Sequence, residues 1–359
     1  MKKLLLLSND VLLVFMLISC SGAGTTRTTN ITAPYPPVSE PYYEIPRDLK
    51  DDYSRIETIE RYRKYLDGIK IFIDPGHGGS DRKNKSIMGN IVEADVNLKV
   101  ALYLKEFLEE AGIIVSMSRT EDETVELDAR STMANNSSAD IFISIHHNAS
   151  STGGDFWTNY TSTFYHAREE NDEYEPCERD IARYIQRDLS YVMGNPGGLI
   201  SFDGTVSDYS IFPGDGFSVL RKTEIPAVLV ECAFYTNRRE EQRLAIDEFN
   251  RIQAWGIFRG IGKYFSAGVP SVELLQDESK LSGSELNLVL HLNDNNGINP
   301  KSVVVYFDAK EIEHQFDLES NKIFVDIYNV VKGEHIIHVV CANTNGNHSF
   351  PYRKKLLLQ

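Results

Sequence analysis

The 359-residue sequence is 42% hydrophobic and 25% charged. That balance is ordinary for globular domains; it excludes a mainly disordered chain, a collagen-like repeat and a polytopic membrane protein. Acidic residues outnumber basic ones 52 to 37, for a net charge of −15, which argues against a general nucleic-acid binder; four cysteines exclude a disulfide scaffold.

Lys2 and Lys3 precede an apolar stretch that closes on Leu17-Ile18-Ser19-Cys20. Ser8, Asn9 and Asp10 interrupt it, leaving Val11 to Ile18 as its clean part. A transmembrane helix needs about 20 apolar residues, so this is the layout of an export signal. The closing residues resemble the lipobox of bacterial lipoproteins. That resemblance implies removal of residues 1–19, lipidation of Cys20, and a membrane anchor in the cell envelope. The expected orientation faces the periplasm, on the outer membrane if the source is Gram-negative; Ser21 is compatible with that sorting. A plain secretory signal with an incidental cysteine is the alternative. Residues 20–50 are rich in Thr, Pro, Ser and Gly and read as a tether.

A leading helix is expected over 51–68, with Tyr53, Ile56, Ile59, Tyr62 and Leu66 near helical spacing. Residues 69–267 then alternate strand and helix. Ile69 to Ile73 form an apolar strand closed by Asp74-Pro75-Gly76. Val96, Val100, Leu104 and Leu108 make a helical stripe that Gly112 ends. Ile113 to Met117 and Ile141 to Ile145 read as buried strands, 178–193 as helix, Ala227 to Val230 as strand, and 239–265 as mostly helix. The fold class is α/β, a mostly parallel sheet with helices on both faces. From 270 to 359 the pattern changes to period two, as in Leu286, Leu288, Leu290 and Leu292, or Ile323, Val325 and Ile327. This predicts a small all-β sandwich of unassigned role.

Four motifs flank the predicted strand ends: Asp74-Pro75-Gly76-His77-Gly78-Gly79, Glu93 ahead of Val96-Asn97-Leu98, Ser144-Ile145-His146-His147-Asn148, and Glu231 after Leu229-Val230. Ligands of open α/β sheets bind beyond the carboxyl ends of the strands. His77, His146 and Glu231 therefore gather on one edge, and Glu93, opening a helix, can point back to it. A glutamate in a first helical turn is also favoured by the helix dipole alone. Two histidines and one glutamate are a ligand set for catalytic zinc that leaves a fourth position open. A further carboxylate, Glu231, would orient water and move its proton.

These motifs resemble the zinc-dependent N-acetylmuramoyl-L-alanine amidases, bacterial cell-wall hydrolases, across about 200 residues. Ser118-Arg119-Thr120, Leu127 with Arg130, Leu220-Arg221, Pro226 to Glu231, and Phe234 with Asn237 extend the resemblance. It implies Zn2+ as cofactor, held by His77, Glu93 and His146, with Glu231 catalytic. It implies peptidoglycan as substrate, cut at the amide between the muramoyl lactyl group and L-alanine, and leaves room for a protein regulator. Two positions depart from the family pattern: His147 stands where a small residue is usual, and Ala233 where glycine is usual. Neighbours on a strand face opposite ways, and register favours His146 over His147 as the ligand. Aromatics between 150 and 180 (Trp157, Tyr160, Phe164, Tyr165) would line a groove or cover the sheet. The acidic run Glu169 to Glu175 reads as a solvated loop, and Cys232 as a core residue. Two other functions fit the same residues: a catalytically degenerate tether or activator that binds the wall, and a metallopeptidase acting on another amide.

Overall fold

The computed structural model describes residues 42–152, 154–171, 174–197 and 203–358. The expected export signal, Cys20 and the tether up to residue 41 lie outside them. Among the described residues no helix is long and apolar enough to cross a membrane.

Helix α1 (Asp52–Leu66) starts at Asp51, whose side chain accepts a hydrogen bond from the Ser54 N–H at 2.8 Å. It buries Ile59, Tyr62 and Leu66 but exposes Tyr53 and Ile56. The expected stripe is thus only half used. Contact with the core comes from the later turns, where Tyr62 meets Phe258 edge-on.

The α/β region continues through β1 (Lys70–Pro75), α2 (Glu93–Glu110), β2 (Ile114–Met117), α3 (Leu127–Asn136), β3 (Ile141–Asn148) and β4 (Ser162–Tyr165). It is completed by α4 (Pro176–Met193), β5 (Thr205–Ser207), α5 (Ser218–Arg221), β6 (Ala227–Phe234), α6 (Arg238–Leu244) and α7 (Asp247–Ser266). The six strands form one sheet in the order β2-β1-β3-β6-β4-β5. β2, β1, β3 and β6 run parallel, while β4 pairs antiparallel with β6. The sheet is therefore mostly parallel, as expected, with a reversed margin that the short strands β4 and β5 did not announce. β2, expected to be buried, is the other edge: Ile114 is 55% exposed.

The period-two alternation of the strands builds two cores. Ile71, Ile73, Ile141, Ile143, Ile145, Val228 and Val230 face α1, α2, α4 and α7. Phe72, Phe142, Ala227 and Leu229 face the opposite way, toward Ala134 of α3 and Val219 and Leu220 of α5. Helices therefore cover both faces, and each fully buried aliphatic side chain contributes about 1.5–3 kcal/mol. By the same alternation His146 and Glu231 share the side of Phe142 and Leu229, whereas His147 and Cys232 point to the larger core.

The tail forms β7 (Ser271–Leu274), β8 (Lys280–Ser282), β9 (Glu285–Asn293), β10 (Val304–Phe307), β11 (Lys310–Ile312), β12 (Gln315–Asp317), β13 (Lys322–Ile327), β14 (Gly333–Val340) and β15 (Tyr352–Leu358). One sheet runs β11-β10-β14-β15 and the other β12-β13-β9-β7, with β8 also on β9. Leu288, Leu290, Leu292, Val305, Ile323, Val325, Ile337 and Val339 fill the space between them, as the alternation predicted.

Polar contacts fasten the tail to the α/β region. Asn343 donates to Ala267 O at 2.8 Å and Asn347 to Tyr264 O at 3.0 Å, satisfying carbonyls at the end of α7. Arg353 pairs with Glu175 at 2.5 Å, and Asp180 accepts from the N–H of His348 at 2.8 Å. Glu175, expected in a solvated loop, is consequently buried.

Candidate metal centre and its cleft

Three parallel strands deliver the candidate residues to one edge. His77 follows the end of β1, while His146 on β3 and Glu231 on β6 stand opposite each other in register. The pairing becomes irregular between His146 and Asn148, so the sheet opens at the site. Glu93 is the first residue of α2, where the helix dipole favours a carboxylate.

The side chains converge. His77 Nε2 lies 3.2 Å from Glu93 Oε2, and His146 Nδ1 lies 3.1 Å from Glu93 Oε1. The two imidazoles are 5.0 Å apart and nearly perpendicular, at 79°. One ligand atom from each of His77, Glu93 and His146 falls within 4.8 Å of the others. Two nitrogen donors and one carboxylate fit a divalent cation such as zinc.

Charge is concentrated here. Burial opposes ionisation of Glu93, yet His146 and His77 outweigh it and hold the carboxyl below the usual range. Burial likewise opposes a charged His77, but Glu93 and Asp81 lift its pKa to about 9. Glu231 behaves differently. Its Oε2 is buried and has no hydrogen-bond partner among the described residues. Burial, with the neighbouring charge of Glu93, pushes its carboxyl well above the usual range. An unpartnered buried carboxylate is costly, and functional sites are where such costs recur.

The loop carrying His77 is fastened by groups to which sequence reading gave no role. Arg119 donates from Nε to Pro75 O at 2.9 Å and from Nη2 to Gly76 O at 3.0 Å and Ala94 O at 2.8 Å. Arg130 donates to Pro75 O at 2.8 Å and His77 O at 2.9 Å, and pairs with buried Asp74 at 2.6 Å. These bonds hold His77 at φ +60°, a left-handed backbone that costs a non-glycine residue. Asp81 grips His77 Nδ1 at 2.7 Å, which turns Nε2 toward Glu93. Asn84 lies 2.7 Å from Glu93 Oε2 and 3.2 Å from His77 Nε2. The i, i+4 spacing of His77 and Asp81 was a usable signal; Asn84 gave none.

Gly76 is required by proximity, because a Cβ there would lie 2.1 Å from His146 Cε1. His147 turns away from the centre. Its Nδ1 meets Asn97 Oδ1 at 2.7 Å and its Nε2 meets Gln253 Oε1 at 2.9 Å. Burial lowers its pKa to about 4. Ala233 is packed in the larger core and does not line the cleft.

The centre forms part of the lining of a cavity of about 810 Å³. Its aromatic lining comes from Phe212, Phe217 and Tyr235 rather than from residues 150–180. Tyr160 packs on Phe234, Phe164 packs on Phe217 within the smaller core, and Trp157 is exposed. The cavity wall formed by 212–221 has no periodic pattern; sequence reading singled out Leu220-Arg221 there by resemblance and missed Phe212 to Val219.

Similarity to known proteins shows the family to which the α/β region belongs. The profile of the N-acetylmuramoyl-L-alanine amidase family matches residues 71–263, and the chain belongs to that family. The germination-specific N-acetylmuramoyl-L-alanine amidase of Bacillus subtilis strain 168 is 28% identical over 232 residues, covering 61% of this chain and 89% of that protein. The N-acetylmuramoyl-L-alanine amidase CwlM of Bacillus licheniformis is 31% identical over 209 residues, covering 55% of this chain and 69% of its own length. Among solved structures, the N-acetylmuramoyl-L-alanine amidase of Clostridium difficile 630 is 31% identical, with a TM-score of 0.47, covering 56% of this chain and 98% of that one.

Proposed function

We propose that this protein is a zinc-dependent amidase that hydrolyses the bond between the muramoyl lactyl group and L-alanine of peptidoglycan stem peptides. The observation that carries the reading is the convergence of His77, Glu93 and His146 beside the unpartnered carboxylate of Glu231. Family membership supports the reaction class.

In this reading His77, Glu93 and His146 hold the metal. Zinc bound there supplies Lewis acidity toward a carbonyl oxygen and toward water. Asp81 fixes the orientation of the His77 ring, and Asn84 that of Glu93. Glu231 takes a proton from the attacking water at its Oε2 and returns it to the departing amide nitrogen. Phe212 and Phe217 line the cleft and would offer apolar contacts to a bound strand.

The site of action is the cell envelope, with Cys20 lipidated and residues 20–50 as the tether. The lipobox-like sequence supports that assignment; mass spectrometry of the mature N-terminus tests it. For the enzyme itself, purified peptidoglycan is digested with and without a chelator, then with zinc restored. Cleavage that stops and returns is the expected outcome. Cleavage that persists with the metal removed would overturn the reading.

A further inference from the structure

The cleft has an uneven charge pattern. Glu93, Glu231 and Asp215 all line it, in a chain of net charge −15. Arg221 is the one Lys or Arg of the lining among the described residues. Its backbone is fixed: α5 is short, but the Arg221 N–H donates to Phe217 O at 2.9 Å, and the preceding Leu220 is buried. Its head is open. Nη1 donates to the main-chain oxygen of Asp215 and stands 3.7 Å from that residue's carboxylate, which is largely exposed. Nε and Nη2 make no hydrogen bond to any described residue. A guanidinium has five donors in a planar fork that matches a carboxylate. Phe212, Pro213 and Phe217 line the same cleft.

We propose that Arg221 is the cation of a carboxylate subsite, a specificity-determining group that receives an acidic residue of the peptide released from the scissile amide. This rests on the amidase reading above. An anionic peptide in this cleft meets the exposed carboxylate of Asp215, and Arg221 is the group placed to offset it. The fork binds carboxylate in two parallel N–H bonds, so it separates an acid from its amide as well as positioning the chain.

The test measures binding, not turnover. Glu231→Gln protein is titrated calorimetrically with N-acetylmuramoyl-L-alanyl-D-glutamate and with its diamide, and the same pair is applied to Glu231→Gln/Arg221→Gln. The single variant should prefer the acid by on the order of tenfold, as a charge-assisted bond implies. Adding Arg221→Gln should erase that preference and leave diamide affinity within roughly twofold. Arg221→Lys, which keeps the charge but loses the fork, should restore part of it. An unchanged acid preference, an equal loss for both ligands, or no acid binding at millimolar concentration would each overturn the proposal. An equal loss would identify Arg221 as a fastener of the 212–217 turn. Failure of wild-type protein to cleave peptidoglycan would instead sink the amidase reading, and the binding comparison would still decide the role of Arg221.

Discussion

Gly76→Ala isolates the geometry of the centre with one carbon. The added Cβ would sit 2.1 Å from His146 Cε1, 2.2 Å from Nε2 and 2.7 Å from Nδ1. Non-bonded carbons settle near about 3.5 Å, so the ring or the loop must retreat by more than ~1 Å. The loop is the harder to move, because Arg119 and Arg130 hold Pro75, Gly76 and His77 by their carbonyls. His146 therefore gives way and leaves His77 and Glu93 as an incomplete ligand set. Overpacking of this kind costs about 1–3 kcal/mol of stability. A 1 Å displacement of a reacting group costs about 100-fold in rate. Zinc affinity by competition with a chelating dye, turnover on dye-labelled peptidoglycan and a thermal melt read the three effects separately. The expected result is a modest fall in melting temperature with large losses in zinc affinity and rate. A Gly76→Ala protein that keeps wild-type zinc affinity and turnover would refute the assigned role of His146.

The neighbouring histidines should separate cleanly. His146→Ala should lose bound zinc in elemental analysis. His147→Ala should keep it and lose about 1–3 kcal/mol in denaturant titration, because Asn97 and Gln253 lose their buried partner. Asp81→Ala should weaken zinc binding by about 10- to 100-fold in the same dye competition while leaving the melt little changed, since it touches only the outer nitrogen of His77. Arg130→Met should lower stability by about 3–5 kcal/mol in urea titration, because buried Asp74 loses its charged partner. Cys20→Ser should move the exported protein from the detergent phase to the aqueous phase on phase partitioning.

The parts of the fold that were legible are those written in a strong period. The helical stripe Val96-Val100-Leu104-Leu108 is buried as read, and the alternation in Leu286 to Leu292 does fill a sandwich. The candidate site was legible for a related reason. Apolar runs ending in His146 and Glu231 are fully buried parallel strands, and such strands present their carboxyl ends to a ligand. Illegible features depend on contacts distant in sequence. Exposure of Tyr53 reflects where α1 meets α7, not the pattern of α1 itself. Burial of Glu175 depends on Arg353, far along the chain in β15. Strands β4 and β5 are only four and three residues long, and β4 pairs with the edge that β6 leaves. Asn84 and the wall carrying Phe212 and Pro213 belong to segments whose shape is set by turns rather than by hydrophobic period.

The most direct measurement is the mass of what zinc-loaded protein and Glu231→Ala release from purified peptidoglycan. Wild type should yield intact peptides with a free L-alanine amino terminus and glycan strands stripped of peptide, and the variant almost none. Fragments cut at another bond, or equal release by both proteins, would contradict the account.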